Sequence, residues 1–175
     1  MKVSPGGSFG PIVVHGQLDG GDYDPALWVS HLFSEVDPAG NLFLATSEDL
    51  IGGTGPIQVL RKHNASGTEL AKLEVDPGET PEQWLAMKTD ATGDLYVASM
   101  FDVSETDRRI CLTRYNSALQ LQWRAFGPPN SMPYNWNTAW TPQMHVGPHG
   151  ITLSYGSPGQ SYYSEFPYEH GEFAR

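Results

Sequence analysis

The sequence predicts an all-β fold made of repeated antiparallel units, and three observations support this prediction. Glycine and proline number 19 and 14 among 175 residues, so turns are frequent and long windows of helix-forming residues are absent. One phrase of turn and strand occurs twice along the chain. Between the turns, apolar residues alternate with a period of two, which is typical of strands.

The repeated phrase reads VDPAGNLFLAT at residues 36–46 and TDATGDLYVAS at residues 89–99. In each copy an Asp and a Gly bracket a tight turn. The Asp side chain can accept a hydrogen bond from the backbone two residues on, and Gly adopts the positive φ that returns the chain to a strand. The prediction covers Asp37 with Gly40 and Asp90 with Gly93.

Three tryptophans suggest a third copy of the unit. Trp28, Trp84 and Trp140 are evenly spaced (84 − 28 = 140 − 84 = 56), and each precedes a turn that contains glycine. In the third turn Gly147 replaces the Asp. The spacing predicts that the three rings occupy equivalent, buried positions near the start of their units.

The segments 57–75 and 110–127 each consist of two alternating runs around a polar turn, which predicts a hairpin. The last copy ends in a shorter segment of the same kind. Each unit would then hold four antiparallel strands in roughly 55 residues, a pattern typical of a propeller blade. We therefore predict one β-propeller-like domain over residues 1–175, with units at about 26–80, 81–136 and 137–175 and an extra strand segment at 1–25.

Four short motifs carry a resemblance to a known family: Asp37–Asn41, the apolar run Leu42–Ala45, Arg61–Gly67 and Trp123–Gly127. In this order the chain resembles bacterial β-propeller repeats of the SBBP and NHL-like kind. The resemblance implies a binding or scaffold role and carries no catalytic signature. Closed propellers usually have four to eight blades, and three are countable here. We therefore expect a homo-oligomer or neighbouring propeller blades as partners.

The net charge of −10 disfavours binding to nucleic acid, because an acidic surface repels phosphate. No apolar run approaches the ~20 residues that a membrane span requires. No signal peptide is visible in the first residues, and the expected location is extracellular, at a cell surface or on a virion. Cys111 is the single cysteine, and we predict a buried, small apolar role for it.

The segment 128–138, PPNSMPYNWNT, contains the strongest candidate for ligand binding. It combines aromatic rings, amide groups and three prolines, which suits recognition of a glycan or a protein. In the alternative interpretation, the tryptophan folds back over the end of the sheets. The candidate residues are Tyr134, Asn135, Trp136 and Asn137.

Two groups of residues have side chains that can bind a metal ion. Asp19, Asp22 and Asp24 lie in a glycine-rich loop and could converge on Ca²⁺, although such a loop can equally be a plain acidic loop. His145 and His149 have a spacing that binds zinc only on a helix, and the Gly-Pro between them argues for a turn. No cofactor is expected apart from this candidate calcium.

The sequence contains no nucleophile elbow, phosphate-binding glycine loop or zinc signature. We therefore expect a non-enzymatic recognition or assembly module that binds a glycan or a protein. One alternative is a structural subunit of an extracellular appendage or a virion. Another is a fragment of a larger propeller enzyme.

Overall fold

The structure, a computed structural model, describes residues 27–50, 57–75, 83–104, 107–129, 143–147, 150–157 and 160–167. Every regular element within these ranges is a β-strand, which confirms the predicted all-β class. The strands are β1 (Leu27–Val36), β2 (Leu42–Leu50), β3 (Ile57–His63), β4 (Glu69–Val75), β5 (Gln83–Thr89), β6 (Leu95–Ser104), β7 (Asp107–Tyr115), β8 (Leu121–Phe126), β9 (Gln143–Gly147), β10 (Gly150–Ser157) and β11 (Gln160–Pro167).

The strands form three antiparallel sheets, in the orders β1-β2-β3-β4, β5-β6-β7-β8 and β9-β10-β11. Each strand pairs with its neighbours in sequence, as the repeat predicted. The first two sheets have four strands. The third has three in the described part of the chain, and residues 168–175, on which a fourth strand would fall, lie outside the described residues.

The chain divides into two compact units, Met1–Thr80 and Pro81–Arg175. The first contains the first sheet, and the second contains the other two. Within the second unit a core forms between its two sheets, and burial of each large apolar side chain stabilises it by roughly 1.5–3 kcal/mol. The fully buried members of this core include Tyr96, Ile110 and Leu112 from the second sheet, with Ile151 and Leu153 from the third.

The first turn of each four-stranded sheet has the predicted backbone. Gly40 has a φ of 81° and Gly93 a φ of 87°. The amide of Gly40 donates to the carbonyl of Asp37 at 2.9 Å, and the amide of Gly93 donates to that of Asp90 at 3.2 Å. The positive φ predicted for both glycines is confirmed.

The aspartates of these turns bond to the backbone, which is also confirmed. Asp37 Oδ1 accepts a hydrogen bond from the amide of Asn41 at 2.8 Å. Asp90 Oδ1 accepts from the amides of Thr92 and Asp94, at 2.8 and 3.0 Å. Each carboxylate therefore holds its turn closed from within.

The second turn of each sheet also repeats, with one substitution. The amide of Gly67 donates to the carbonyl of Asn64 at 3.0 Å, and the amide of Leu119 donates to that of Asn116 at 2.9 Å. Gly67 has a φ of 87° and Leu119 a φ of 60°. This left-handed backbone conformation is unfavourable for leucine. The burial of the Leu119 side chain explains why it is tolerated here.

The predicted equivalence of the tryptophans is wrong for the first two. Ser99 and Thr46 each lie six residues after the glycine of their turn, so they correspond. Ser99 pairs with Trp84, whereas Thr46 pairs with His31. The position of Trp84 is therefore matched by His31 and not by Trp28, because the turns repeat every 53 residues (90 − 37) and the tryptophans every 56. Trp84 is buried, as predicted.

Candidate functional site

The binding and metal residues predicted from sequence lie outside the described residues. Within the described ranges, no group of three or more His, Cys, Asp or Glu side chains could hold a metal ion. His145 is exposed on β9. The predicted residues outside the described ranges are Tyr134, Asn135, Trp136, Asn137, Asp19, Asp22, Asp24, His149 and Trp140.

One face of the first sheet carries a cluster of polar and charged side chains, here called the acid–arginine cluster. It consists of Thr46, Glu48, Arg61 and Glu69. Thr46 and Glu48 share this face of β2, because side chains alternate along a strand. Arg61 on β3 lies opposite Leu44, which belongs to the same face. The pleat of the sheet therefore brings these side chains together.

Arg61 binds Glu48 through both guanidinium Nη atoms, and Nη2 lies 3.1 Å from Glu48 Oε2. Thr46 Oγ1 donates to Glu48 Oε1 at 2.9 Å. On its other side, Arg61 Nε lies 3.1 Å from Glu69 Oε2. The side chains of Arg61 and Glu48 are 10% and 5% exposed, so this two-pronged ion pair is shielded from water.

The pKa of Glu48 reflects these contacts. Burial by itself would raise it, but the hydrogen bond and charge of Arg61 and the hydroxyl of Thr46 together hold the pKa below its ordinary value. Glu48 is therefore ionised at neutral pH. In this state it accepts hydrogen bonds and cannot donate a proton.

The opposite face of the first sheet carries what we call an aromatic–cation pair. Lys62 lies across from Phe43 on the neighbouring strand, with its Nζ atom 4.8 Å from the ring centre. The same ammonium is 3.3 Å from Asp37 Oδ2, and both of these side chains are almost wholly buried. Asp37 thus joins the first turn to the middle of the sheet.

The second sheet has the same pair at the corresponding place. Arg114 lies across from Tyr96, with its guanidinium carbon 5.7 Å from the ring centre. Arg114 Nε and Nη2 lie 3.0 and 2.6 Å from Asp94 Oδ2. The hydroxyl of Tyr96 donates to Asp90 Oδ2 at 3.2 Å, so the turn is again tied to the strands.

The second sheet carries an aromatic corner where the first sheet has charges. It consists of Phe101, Arg124 and Phe126; Phe101 occupies the place that Glu48 has in the first sheet. The two phenylalanine rings meet edge to face at 5.6 Å, and Arg124 lies 5.6 Å from the centre of the Phe101 ring. Phe126 is 42% exposed, so the corner presents an aromatic surface to solvent.

Cys111 is buried, as predicted. Burial raises the pKa of its thiol to about 11, although hydrogen bonds with Thr113 and Ser99 act in the opposite direction. At neutral pH the thiol is protonated. It is therefore a poor nucleophile in the folded protein.

Sequence reasoning missed the acid–arginine cluster. A signal was present, because Thr46 and Glu48 alternate along β2 in LFLATSEDL where an all-apolar face would be expected. Pairing that signal with Arg61 requires the register between β2 and β3, and the glycine-rich sequence of residues 51–56 indicates a connection without fixing that register.

No helix in the described part of the chain is long and apolar enough to cross a membrane. No protein-family model and no curated protein matches the chain.

Proposed function

We propose that the protein is a non-enzymatic recognition or assembly module built on propeller-type repeats. The observation that carries this proposal is the aromatic–cation pair, which occurs at the same place in two successive sheets. In both sheets a cation on the third strand covers a ring on the second, and an acid holds the cation. A contact of ring, cation and acid that repeats in this way suits a rigid scaffold whose loops are available for binding.

The charge environment supports a scaffold over an enzyme. Catalytic acids and bases have pKa values tuned towards the pH at which they work. Burial raises the pKa of Glu48 and Asp90, but their hydrogen bonds outweigh it and leave both pKa values below the ordinary range. The Cys111 thiol has its pKa raised to about 11. The pKa values of all three groups therefore lie away from neutral pH, where proton transfer would be most efficient.

The segment with Tyr134 to Asn137 is the proposed ligand site, for a glycan or a protein. It joins β8 to β9 along the chain, so it belongs to the unit whose two sheets share a core. Aromatic faces flanked by amides bind sugar rings through stacking and hydrogen bonds. A Ca²⁺ ion at Asp19, Asp22 and Asp24, and an extracellular or surface location, belong to the same proposal.

A glycan array tests this proposal, with the wild type, Trp136→Ala and the matched control Phe126→Ala. We expect wild-type binding to a defined glycan class, loss of it in Trp136→Ala and its retention in the control. Turnover of any arrayed glycan would contradict a non-enzymatic role. Absence of binding would favour the second candidate, a structural subunit of an appendage or virion.

A further inference from the structure

We propose that Asn64 is a glycosylation site, whose side-chain amide accepts an oligosaccharide when the chain is secreted by a eukaryotic cell. The inference rests on the extracellular location in the proposed function and adds a covalent modification to it. The donor is an oligosaccharide carried on a lipid pyrophosphate, and the catalyst is the transferase of the secretory pathway.

Asn64, Ala65 and Ser66 form an N-x-S motif, the acceptor sequence for N-linked glycans. No other N-x-S or N-x-T occurs in the 175 residues. A sugar can be accommodated only where this motif lies at the surface, in a loop or a turn. Here the motif lies in the turn between β3 and β4, with Asn64 half-buried and both of the following residues exposed. The structural context that the motif requires is therefore present.

The side-chain oxygen of Asn64 is held by the turn. Asn64 Oδ1 accepts hydrogen bonds from the amides of Ser66 and Thr68, at 3.0 and 2.9 Å. It also accepts one from the hydroxyl of Ser66 at 2.7 Å. Donors at the oxygen polarise the amide group and make its N–H protons more acidic. The hydroxyl that the motif requires thus acts on the group to be modified.

The side-chain nitrogen of Asn64 is available for modification. Nδ2 forms no hydrogen bond with the described part of the chain. A sugar on Nδ2 replaces one N–H hydrogen and leaves Oδ1 with its three hydrogen bonds. The glycosylated side chain therefore still closes the turn.

Two comparable turns of the second sheet show which features the turn itself needs. Asn116 Oδ1 accepts from the amides of Ala118 and Gln120, at 3.0 and 2.9 Å, so this turn closes with alanine at the place of the motif's serine. Its Nδ2 donates to Gln120 Oε1 at 2.9 Å. In the other turn Thr92 supplies a hydroxyl, but its acceptor is Asp90, which has no amide nitrogen. Among the three turns, the hydroxyl and an available amide nitrogen occur together only in the motif.

The transfer forms one bond and breaks one. Nδ2 of Asn64 attacks the anomeric carbon of the donor sugar, the bond from that carbon to the pyrophosphate oxygen breaks, and the lipid pyrophosphate leaves with the electron pair. The proton lost from Nδ2 passes to a base of the transferase. The hydrogen bonds of the turn lie within residues 64–68, so this conformation can form before the sheet is complete, while the transferase still has access to the chain.

Expression of the full chain with a cleavable signal peptide in a eukaryotic cell tests the inference. Mass spectrometry before and after treatment with peptide N-glycosidase, which converts a glycosylated asparagine to aspartate, measures the occupancy of Asn64. We expect the wild type and Ser66→Thr to be glycosylated. Ser66→Ala should lose the glycan, because alanine is compatible with the turn but has no hydroxyl.

The matched control is Ala118→Ser, which creates an N-x-S motif at Asn116, where Nδ2 already has an acceptor. Its occupancy should stay below that of Asn64. A wild-type chain recovered from the secretory pathway without a glycan on Asn64 overturns the inference. Glycosylation that persists in Ser66→Ala, or equal occupancy of the two asparagines, also overturns it. A glycan array run on chain produced in bacteria tests the proposed binding independently of this modification.

Discussion

Lys62 and Phe43 face each other across β2 and β3, with the ammonium nitrogen 4.8 Å from the centre of the ring. Arg114 and Tyr96 have the same relationship across β6 and β7. In both sheets the aspartate of the first turn reaches this pair, Asp37 through the cation and Asp90 through the ring hydroxyl. The repeat is therefore a repeat of side-chain arrangement as well as of turns.

Replacing Lys62 by Met should destabilise the first sheet by roughly 2–4 kcal/mol, because it leaves Asp37 buried without its cation and removes the contact with Phe43. Urea unfolding measures the change in the free energy of unfolding. Lys72→Met is the control, since Lys72 forms an exposed pair with Glu74 that should contribute about 0–1 kcal/mol. Equal losses in the two variants would show that the buried pair has no special role.

Because Leu119 has a positive φ, we expect glycine to be preferred to alanine at this position. Leu119→Ala and Leu119→Gly both lose a buried side chain, at a cost of about 2–5 kcal/mol. Glycine also relieves the left-handed strain of roughly 1–2 kcal/mol, which alanine retains. We therefore expect Leu119→Gly to be more stable than Leu119→Ala in urea unfolding. The opposite order would contradict the strained backbone.

Acid should destabilise the fold through carboxylates such as Asp90, whose pKa lies below its ordinary value of 3.8. Burial opposes this shift, and hydrogen bonds from Thr92, Asp94 and Tyr96 outweigh it. Because the folded-state pKa is depressed, the stabilisation is present above the ordinary pKa and is lost as the pH falls through the folded value.

Asp90→Asn tests this source of acid sensitivity, because the amide keeps the Oδ1 acceptor and loses the charge. The variant's free energy of unfolding should fall less than that of the wild type between about pH 5 and pH 3. Denaturant titrations at each pH provide the measurement. The prediction is wrong if both proteins lose the same amount.

Cys111 should react with an aromatic disulfide reagent only when the fold opens, since the thiol is buried and its pKa is raised to about 11 by that burial. At pH 8 we expect labelling at least about a thousandfold slower in buffer than in concentrated urea. Ser117→Cys in a Cys111→Ala background is the control, because Ser117 is exposed in a turn. Equally fast labelling of both cysteines would contradict the burial.

Glu48 and Arg61 should be strongly coupled. Arg61→Met alone leaves a buried carboxylate without its partner, at a cost of about 3–5 kcal/mol. The double variant Glu48→Leu, Arg61→Met removes both charges and should lose less than the sum of the single losses. A double-mutant cycle in urea measures the difference. Additive losses would show that the two-pronged ion pair contributes no coupling energy.

The sequence was sufficient for the turns because turn chemistry is local. Asp37 and Gly40 fix their turn through bonds within five residues, and this was visible in the repeated phrase. Leu119 could not be predicted in the left-handed region, since only the hydrogen bonds of Asn116 and the burial of the leucine reveal why a non-glycine residue is tolerated there.

Contacts between strands were harder to predict because they depend on register. The pairing of Glu48 with Arg61 requires the alignment of β2 with β3, which no motif in the sequence specifies. The equal spacing of the tryptophans was misleading for the same reason. Trp28 and Trp84 are evenly spaced with Trp140, but the strands are aligned by their turns, which repeat at a shorter interval.

The pairing of strands that are adjacent in sequence affects how the protein folds during its synthesis. Among the described strands, those of the first sheet pair only with strands that adjoin them in the chain, and all four lie within residues 27–75. Contacts between near neighbours in sequence close short loops and form early in folding. The first sheet can therefore assemble hairpin by hairpin on the ribosome while residues beyond 80 are still being added.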